Sequence, residues 1–250
     1  MKYKHARIVA LPLLAYLLAA LAMTLLQREL LYKPDLTPIQ PPRAYQVAAE
    51  AITLQGEAGT LAAWYAPAAK NMPMILYFQG NGGNFSGRIH KFQALLKRGF
   101  GLLALSYRGF NGSMGNPTEA GLYADARTAL HWLKQHHPKT PLLYYGESLG
   151  SGVAVQLATE DPPALVVLEA PYTSIADRAQ EIYWWLPVHL LLRDKFESLK
   201  KISNLHAPLL IIHNDGDNVI PVHHGRTLFA AAKPPKKAYW LKQNGHIDFD

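Results

Sequence analysis

Two kinds of hydrophobic pattern alternate along the chain. Met74–Phe78, Leu102–Tyr107, Leu142–Tyr145, Leu165–Leu168 and Leu209–Ile212 are short continuous apolar runs, the pattern of strands buried on both faces. Ala238–Leu241 predicts a last strand of the same kind. Between these runs lie helix-length segments, Arg88–Arg98, Glu119–His137, Ser148–Glu160 and His223–Ala232. Strands that alternate with helices predict an α/β fold on a doubly wound, mostly parallel sheet. Ahead of them, Tyr45–Leu54 and Thr60–Tyr65 flank Gly56 and Gly59, which predicts an antiparallel pair joined by a turn. One interval breaks the rhythm: Pro171–Ala207 is longer than a simple crossover needs, and residues 171–207 are expected to form a short helical cap. Tyr183, Trp184, Trp185, Leu186 and Leu190–Leu192 make it oily. Such side chains pack onto the sheet, or else line an acyl pocket or touch lipid.

The first stretch has another pattern. From Ile8 to Leu26 no residue is charged, and at about 1.5 Å per residue a helix of that length matches a ~30 Å hydrocarbon core. The expectation is an N-terminal membrane anchor over residues 1–33, with its transmembrane helix at about 8–26. Lys2, Lys4 and Arg7 precede the apolar stretch, which favours a cytoplasmic N-terminus and a catalytic domain on the non-cytoplasmic, periplasmic or extracellular side. A cleaved signal peptide is the rival, because Ala20-Leu21-Ala22 resembles a cleavage site, but the stretch exceeds the usual ~7–15 apolar residues. Prolines at 34, 38, 41 and 42 mark residues 34–42 as an extended linker, leaving 43–250 as the globular domain.

Composition narrows the classes. With 250 residues, 49% hydrophobic and 17% charged, the chain suits one globular domain and not long-range disorder. The formal charge of +7 invites a nucleic-acid hypothesis. Residues 1–33 hold five Lys or Arg and one acid (+4), and residues 34–250 hold 20 and 17 (+3). Most of the excess therefore sits where it sets membrane orientation, and no nucleic-acid partner is expected. Cysteine is absent, which removes thiolate zinc sites, iron–sulfur clusters and cysteine nucleophiles.

The candidate chemistry centres on Gly146-Glu147-Ser148-Leu149-Gly150, between a buried run and a helix. This strand, sharp turn, helix context is what a nucleophile elbow requires. A serine hydroxyl needs an imidazole to take its proton and a carboxylate to orient that imidazole. Asp217 follows the run Leu209–Ile212, at the sheet edge where open α/β sheets bind ligands. Asp215 in the same loop is its rival, and Asp177 comes third. Of the eleven histidines, His246 follows the last strand and would return to the same edge. It is the expected general base, then acid. Two backbone N–H groups should receive the oxyanion, one from Leu149 and one from Asn81 in the loop Gln79-Gly80-Asn81-Gly82-Gly83-Asn84. Neither nucleotide-binding glycine pattern occurs.

These features resemble the α/β-hydrolase superfamily, and within it the small, N-terminally membrane-anchored, serine-aminopeptidase-like hydrolases. The matching stretches are Gln27-Arg28-Glu29-Leu30-Leu31-Tyr32, the Gly80–Asn84 loop, Tyr107-Arg108-Gly109-Phe110 with Gly112-Ser113 and Gly115, and Gly121-Leu122-Tyr123-Ala124-Asp125-Ala126. The serine elbow, Arg193-Asp194-Lys195-Phe196, the Asp217 loop with Ile220-Pro221, and Gly245-His246 continue the match. The resemblance implies the α/β-hydrolase fold and a serine hydrolase with Ser148, Asp217 and His246 as triad. Two departures stand out. Gln79 occupies a position where the family usually has histidine, and the sequence stops at Asp250, where relatives usually continue into a helix that covers the sheet.

The expectation is a membrane-anchored serine hydrolase that cleaves a small-molecule carboxylic ester or thioester through an acyl-enzyme, without cofactor or metal, and touches membrane lipid through its N-terminal helix. A serine aminopeptidase-like peptidase is the alternative. It would need an acidic pocket for the substrate amine, with Asp177, Glu181, Asp194 and Glu197 as candidates. A catalytically silent hydrolase-fold binding protein is the alternative of another class. Substrate identity and oligomeric state stay open.

Overall fold

The computed structural model describes residues 2–37 and 39–247, with side chains from Leu11 onward. Its strands are β1 (Glu50–Gly56), β2 (Gly59–Ala66), β3 (Met74–Phe78), β4 (Gly101–Leu105), β5 (Leu142–Glu147), β6 (Leu165–Glu169), β7 (Leu209–Gly216) and β8 (Lys236–Asn244). They form one sheet in the order β1-β2-β4-β3-β5-β6-β7-β8. β2 runs antiparallel to β1 and β4, and the other pairs are parallel. The helices are α1 (Lys2–Leu25), α2 (Gln27–Leu31), α3 (Ile89–Lys97), α4 (Glu119–His136), α5 (Leu149–Glu160), α6 (Ile175–Ile182), α7 (Val188–Leu191), α8 (Ser198–Ile202) and α9 (His223–Ala231). Three helices, α6 to α8, fill the long interval between β6 and β7.

The continuous apolar runs follow from burial on both faces. Along β3, Met74, Leu76 and Phe78 enter one core with Tyr144 and Val153, while Ile75 and Tyr77 enter the other with Trp64, Phe85 and Phe92. Successive strand side chains point to opposite faces, so a sheet covered twice needs no polar alternation. Each such side chain contributes roughly 1.5–3 kcal/mol by leaving water. Helix starts are set by capping: the Thr118 hydroxyl accepts from the Gly121 N–H, and the Ser174 hydroxyl from the Asp177 N–H.

Several boundaries differ from the apolar pattern. The first strand starts at Glu50 instead of Tyr45, because Pro42–Tyr45 form a helical turn that closes at Gln46 with φ of 57°. β4 ends at Leu105, since the Ser106 hydroxyl donates to the Phe110 carbonyl within a turn. β8 is longer than Ala238–Leu241 because it pairs with the whole of β7 up to Gly216.

Motif residues outside the elbow hold elements together. Arg108, just after β4, donates to Asp125 of α4 through Nε (2.9 Å), Nη2 (2.7 Å) and its backbone N–H (2.8 Å), and Asp125 is fully buried. The N-terminal helices are tied to the segment between β6 and β7. Gln27 Oε1 accepts from the Arg193 N–H (2.7 Å), Arg28 Nε donates to Asp194 (2.8 Å), and the Tyr16 ring meets Trp185 edge-on. The expected span 8–26 falls largely within α1, and its residues 8–10 lie outside the described side chains. Among the described residues no helix is long and apolar enough to cross a membrane.

Asp125→Ala strands the Arg108 guanidinium, and removing one partner of a buried pair costs about 3–5 kcal/mol. Glu57, 76% exposed and 3.8 Å from the same arginine, contributes at most about 0.5 kcal/mol. Urea unfolding is expected to show a large loss for Asp125→Ala and none beyond that for Glu57→Ala.

Candidate active site

The turn after β5 places Ser148 at φ 50°, ψ −116°, a conformation a side-chain-bearing residue holds at a cost of about 1–3 kcal/mol. Its neighbours over-determine it. The Ser148 N–H donates to the Glu169 carbonyl (2.9 Å), and the Ser151 hydroxyl and N–H both donate to the Ser148 carbonyl (2.6 and 2.9 Å). The flanking glycines are steric necessities. A Cβ on Gly146 would lie 2.5 Å from the Gly150 carbonyl oxygen, and one on Gly150 would run into the Phe78 carbonyl. Strand and helix therefore meet at a distance only glycine permits, and the serine stands at the C-terminal edge of the sheet.

The loops after β7 and β8 come to the same edge. His246 Nε2 lies 2.8 Å from Ser148 Oγ, and His246 Nδ1 lies 2.6 Å from Asp217 Oδ2. The other Asp217 oxygen accepts the N–H groups of Val219 and Ile220, both at 2.8 Å. Asp215 instead pairs with Arg226 at 2.9 Å on the surface, and Asp177 sits in the first turn of α6, 3.5 Å from His189.

Two bracing residues were not singled out in the sequence. Buried His213 places Nε2 2.8 Å from the Ile220 carbonyl and 3.3 Å from Asp217 Oδ2. Asn214 Nδ2 donates to the Gly245 carbonyl at 3.0 Å and so ties the end of β7 to the His246 loop. Their signal was their place at the end of an apolar run, where a polar side chain either faces solvent or serves the site. Burial raises the pKa of Asp217, but hydrogen bonds from His213 and His246 and from the Ile220 N–H outweigh it, and its carboxyl is held well below the usual carboxylate range.

Leu149 opens α5 directly after the serine. Asn81 lies in the loop after β3, beside the elbow because Phe78 pairs with Gly146. Gly80 packs so near that a Cβ there would lie 3.4 Å from Ser148 Cβ. The Asn81 side chain turns away: its Nδ2 donates to the Leu31 carbonyl (2.5 Å), and its Oδ1 accepts the Lys33 N–H (3.1 Å). Buried Gln79 does not brace the loop through its amide, which has no hydrogen-bond partner. Arg88 does so, donating through Nη1 to the carbonyls of Gly82 (3.1 Å) and Asn84 (2.9 Å) and through Nε and Nη2 to Glu147 (3.0 and 2.5 Å). One guanidinium thus links the Asn81 loop to the residue preceding Ser148.

Beneath the elbow this link belongs to a buried ionic network. Lys91 bridges Glu147 (3.1 Å) and Glu169 (2.6 Å), and Tyr77 and Tyr145 donate to the two carboxylates respectively. Burial opposes the charge on Glu147, but Lys91 and Arg88 hold its pKa down at about 2. Burial, with the charge of Glu147 nearby, pushes Glu169 up.

Among the described residues one group brings metal-type donors within 4.8 Å of one another: Glu181, His223 and His224. Its bonding is that of a proton-linked cluster. His224 Nδ1 lies 2.8 Å from the Thr173 hydroxyl and 3.3 Å from its N–H, His224 Nε2 lies 3.4 Å from Glu181 Oε2, and Arg178 occupies the same carboxylate at 2.8 Å. The Glu181 carboxylate is thus already shared among Arg178, His223 and His224.

A doubly wound sheet with a serine on a strained elbow at its C-terminal edge defines an α/β serine hydrolase. Residues 71–196, which include Ser148, match the family described as serine aminopeptidase, S33, and the chain belongs to it. An uncharacterized Mycobacterium tuberculosis protein is 36% identical over 99% of this chain and 91% of its own length. The lysophosphatidylserine lipase ABHD12 of Rattus norvegicus is 34% identical over 69% of this chain, which spans 49% of that lipase. Among solved structures, a Pyrococcus furiosus esterase superposes with a TM-score of 0.71 at 17% identity, over 87% of this chain and 89% of that one. A lidless α/β serine hydrolase of Xanthomonas campestris gives 0.63 at 16%, over 84% and 89%. At these identities the structures show the shared fold.

Because the folded pKa of Asp217 lies below its unfolded value of about 3.9, its stabilisation is complete above that pH and is lost as pH falls through the folded pKa. Urea unfolding of wild type and Asp217→Asn is expected to show a stability gap that narrows as pH falls below about 4.

Proposed function

We propose that the protein is a membrane-anchored serine hydrolase that cleaves carboxylic esters or thioesters with Ser148, His246 and Asp217 as its triad. The observation that carries this reading is the unbroken hydrogen-bond chain from Ser148 Oγ through His246 to Asp217, at 2.8 and 2.6 Å, built on a positive-φ turn. Ser148 Oγ attacks the acyl carbonyl while His246 Nε2 takes its proton. Asp217 accepts a hydrogen bond from the Nδ1–H and stabilises the imidazolium without itself becoming protonated, a role suited to a carboxylate so resistant to protonation. The backbone N–H groups of Leu149 and Asn81 receive the oxyanion, in a loop whose shape Arg88 holds. His246 then protonates the leaving alcohol or thiol, and a water that gives its proton to the same nitrogen releases the acid from the acyl-enzyme.

Lipid esters are the favoured substrates. A relative named as a lysophosphatidylserine lipase supports this, as does the apolar surface of the segment between β6 and β7, where Trp184 is 79% and Leu190 85% exposed. This surface adjoins α1 through the contact of Tyr16 with Trp185, and tryptophans concentrate where a bilayer meets water. The uncharged Ile8–Leu26 stretch and the basic residues before it support an anchor with the hydrolase domain on the non-cytoplasmic side. Against an aminopeptidase, each candidate acid is already engaged: Asp194 with Arg28, Glu197 with Lys200, Glu181 with Arg178, and Asp177 beside His189. A substrate ammonium would have to displace one of these partners.

A fluorophosphonate probe is expected to label the full-length protein and not Ser148→Ala, and Ser148→Ala or His246→Ala to lower ester kcat on the order of 10⁴- to 10⁶-fold. Absence of labelling in a folded wild-type protein overturns the enzyme reading. An alkaline phosphatase fusion at the C-terminus is expected to be active in cells, and a fusion active only as a cytoplasmic reporter overturns the orientation.

A further inference from the structure

We infer that the acyl chain of the substrate lies in a cleft between the N-terminal helices and the α6–α7 segment, so that the membrane-proximal helix is itself one wall of the substrate site. This rests on the ester-hydrolase reading above and adds the substrate class and the residues that select it.

The cleft has a volume of about 230 Å³. Met23, Leu30 and Leu31 line it from one side, and Ala179, Leu186 and Leu191 are among those facing them. Four lining residues, Thr24, Gln27, Arg178 and Tyr183, carry polar side chains, and the first three spend theirs on the protein. Thr24 Oγ1 donates to the Ala20 carbonyl (2.7 Å). Gln27 donates to the Thr24 carbonyl (2.6 Å) and accepts from Arg193 (2.7 Å). Arg178 donates to the Val219 carbonyl (2.7 Å) and to Glu181 (2.8 Å). A polar ligand would give up its hydration and find three of these four groups already bonded, an unfavourable exchange. Hydrocarbon loses nothing on entry and gains about 0.8 kcal/mol per buried CH₂.

The position of the cleft relates it to Ser148. Leu31, at one border, accepts the Asn81 side chain through its carbonyl, and Asn81 belongs to the proposed oxyanion loop. Arg178, at another border, bonds Val219, whose N–H donates to Asp217. Ile175 follows by three positions Tyr172, whose hydroxyl donates to the Leu149 carbonyl at 3.0 Å. The lining is thus bonded to the oxyanion loop through Leu31 and to the acid loop through Arg178. In the other direction it runs into the exposed apolar surface of α1 at Leu21 and Leu25 and of the facing segment at Ile182. A cleft bordered by residues bonded to the Asn81 and Asp217 loops, and opening on a surface proposed to lie in lipid, suits an acyl chain that enters from the bilayer. The wall is fastened through Gln27 to Arg193 and Arg28 to Asp194, so helix and facing segment keep a set spacing.

The test uses full-length protein at constant detergent with p-nitrophenyl esters from acetate to laurate. Ala179→Trp fills the cleft from α6 and Thr24→Phe fills it from α1, so neither depends on the folding of the other, and thermal melts identify a variant that fails to fold. Each is expected to lower the laurate-to-acetate ratio of kcat/KM at least tenfold. A ratio unchanged in a folded variant overturns the cleft as the acyl site. A second readout is independent of catalysis: a C16 fatty acid with a terminal diazirine, photolysed with Ser148→Ala protein. It is expected to crosslink within residues 23–31 and 175–192, and Ala179→Trp in the same background to lose those adducts. Adducts spread along α1 and insensitive to Ala179→Trp overturn the inference. Specific adducts in a protein whose wild type no fluorophosphonate labels would support the cleft while refuting the hydrolase.

Discussion

The left-handed backbone at Ser148 is the constraint on which the site depends. A turn this sharp between β5 and α5 projects the serine out of the sheet edge, and it costs free energy that local sequence cannot recover. Packing recovers it. Gly146 and Gly150 let strand and helix approach until a methyl group would collide with backbone carbonyls, and β6 supplies the Glu169 carbonyl that receives the Ser148 N–H. The elbow is therefore held by its packing against the sheet together with its own glycines and the Ser151 bonds.

Charge is placed by the same logic. Glu147 sits one residue before the serine with no exposure to solvent, where an isolated carboxylate would be intolerable. Arg88 and Lys91 neutralise it, and Arg88 spends its remaining donors on the Gly82 and Asn84 carbonyls. A residue that reads as part of the elbow motif thus anchors the neighbouring glycine-rich loop as well. At position 79 the glutamine amide makes no hydrogen bond among the described residues, and the loop keeps its shape through the guanidinium instead. Likewise Arg108 and Asp125, far apart in sequence, are one interaction that locks the turn after β4 to α4.

The junction between the N-terminal helices and the α6–α7 segment joins the proposed anchor to the proposed active site. Gln27 and Arg28 stand in one matching stretch and Arg193 and Asp194 in another, and in space they are bonded partners. Between them runs the apolar cleft. In the proposed arrangement the helix proposed to hold the protein at a membrane would also shape what reaches Ser148, so attachment and substrate choice would share the same residues.

Much of the molecule was legible in the one-dimensional pattern. Unbroken apolar runs meant strands buried on both faces, and the order of runs and helices meant a doubly wound sheet, because burial and period are local properties of a sequence. Gly-x-Ser-x-Gly after such a run marked the elbow, chain order allowed Asp217 or Asp215 with His246, and the family resemblance favoured Asp217. What a pattern cannot hold is distance between residues remote in sequence. Only the tertiary structure decided that His246 faces Asp217 while Asp215 pairs with Arg226, that His213 and Asn214 brace the acid and histidine loops, and that Arg88 ties the Asn81 loop to Glu147. Strand limits moved for the same reason: β8 extends as far as β7 offers it partners, and the first strand begins where a left-handed Gln46 ends the preceding turn. Periodicity records which side of an element is buried. Which side chains meet there is determined by how the sheet brings its loops to one edge.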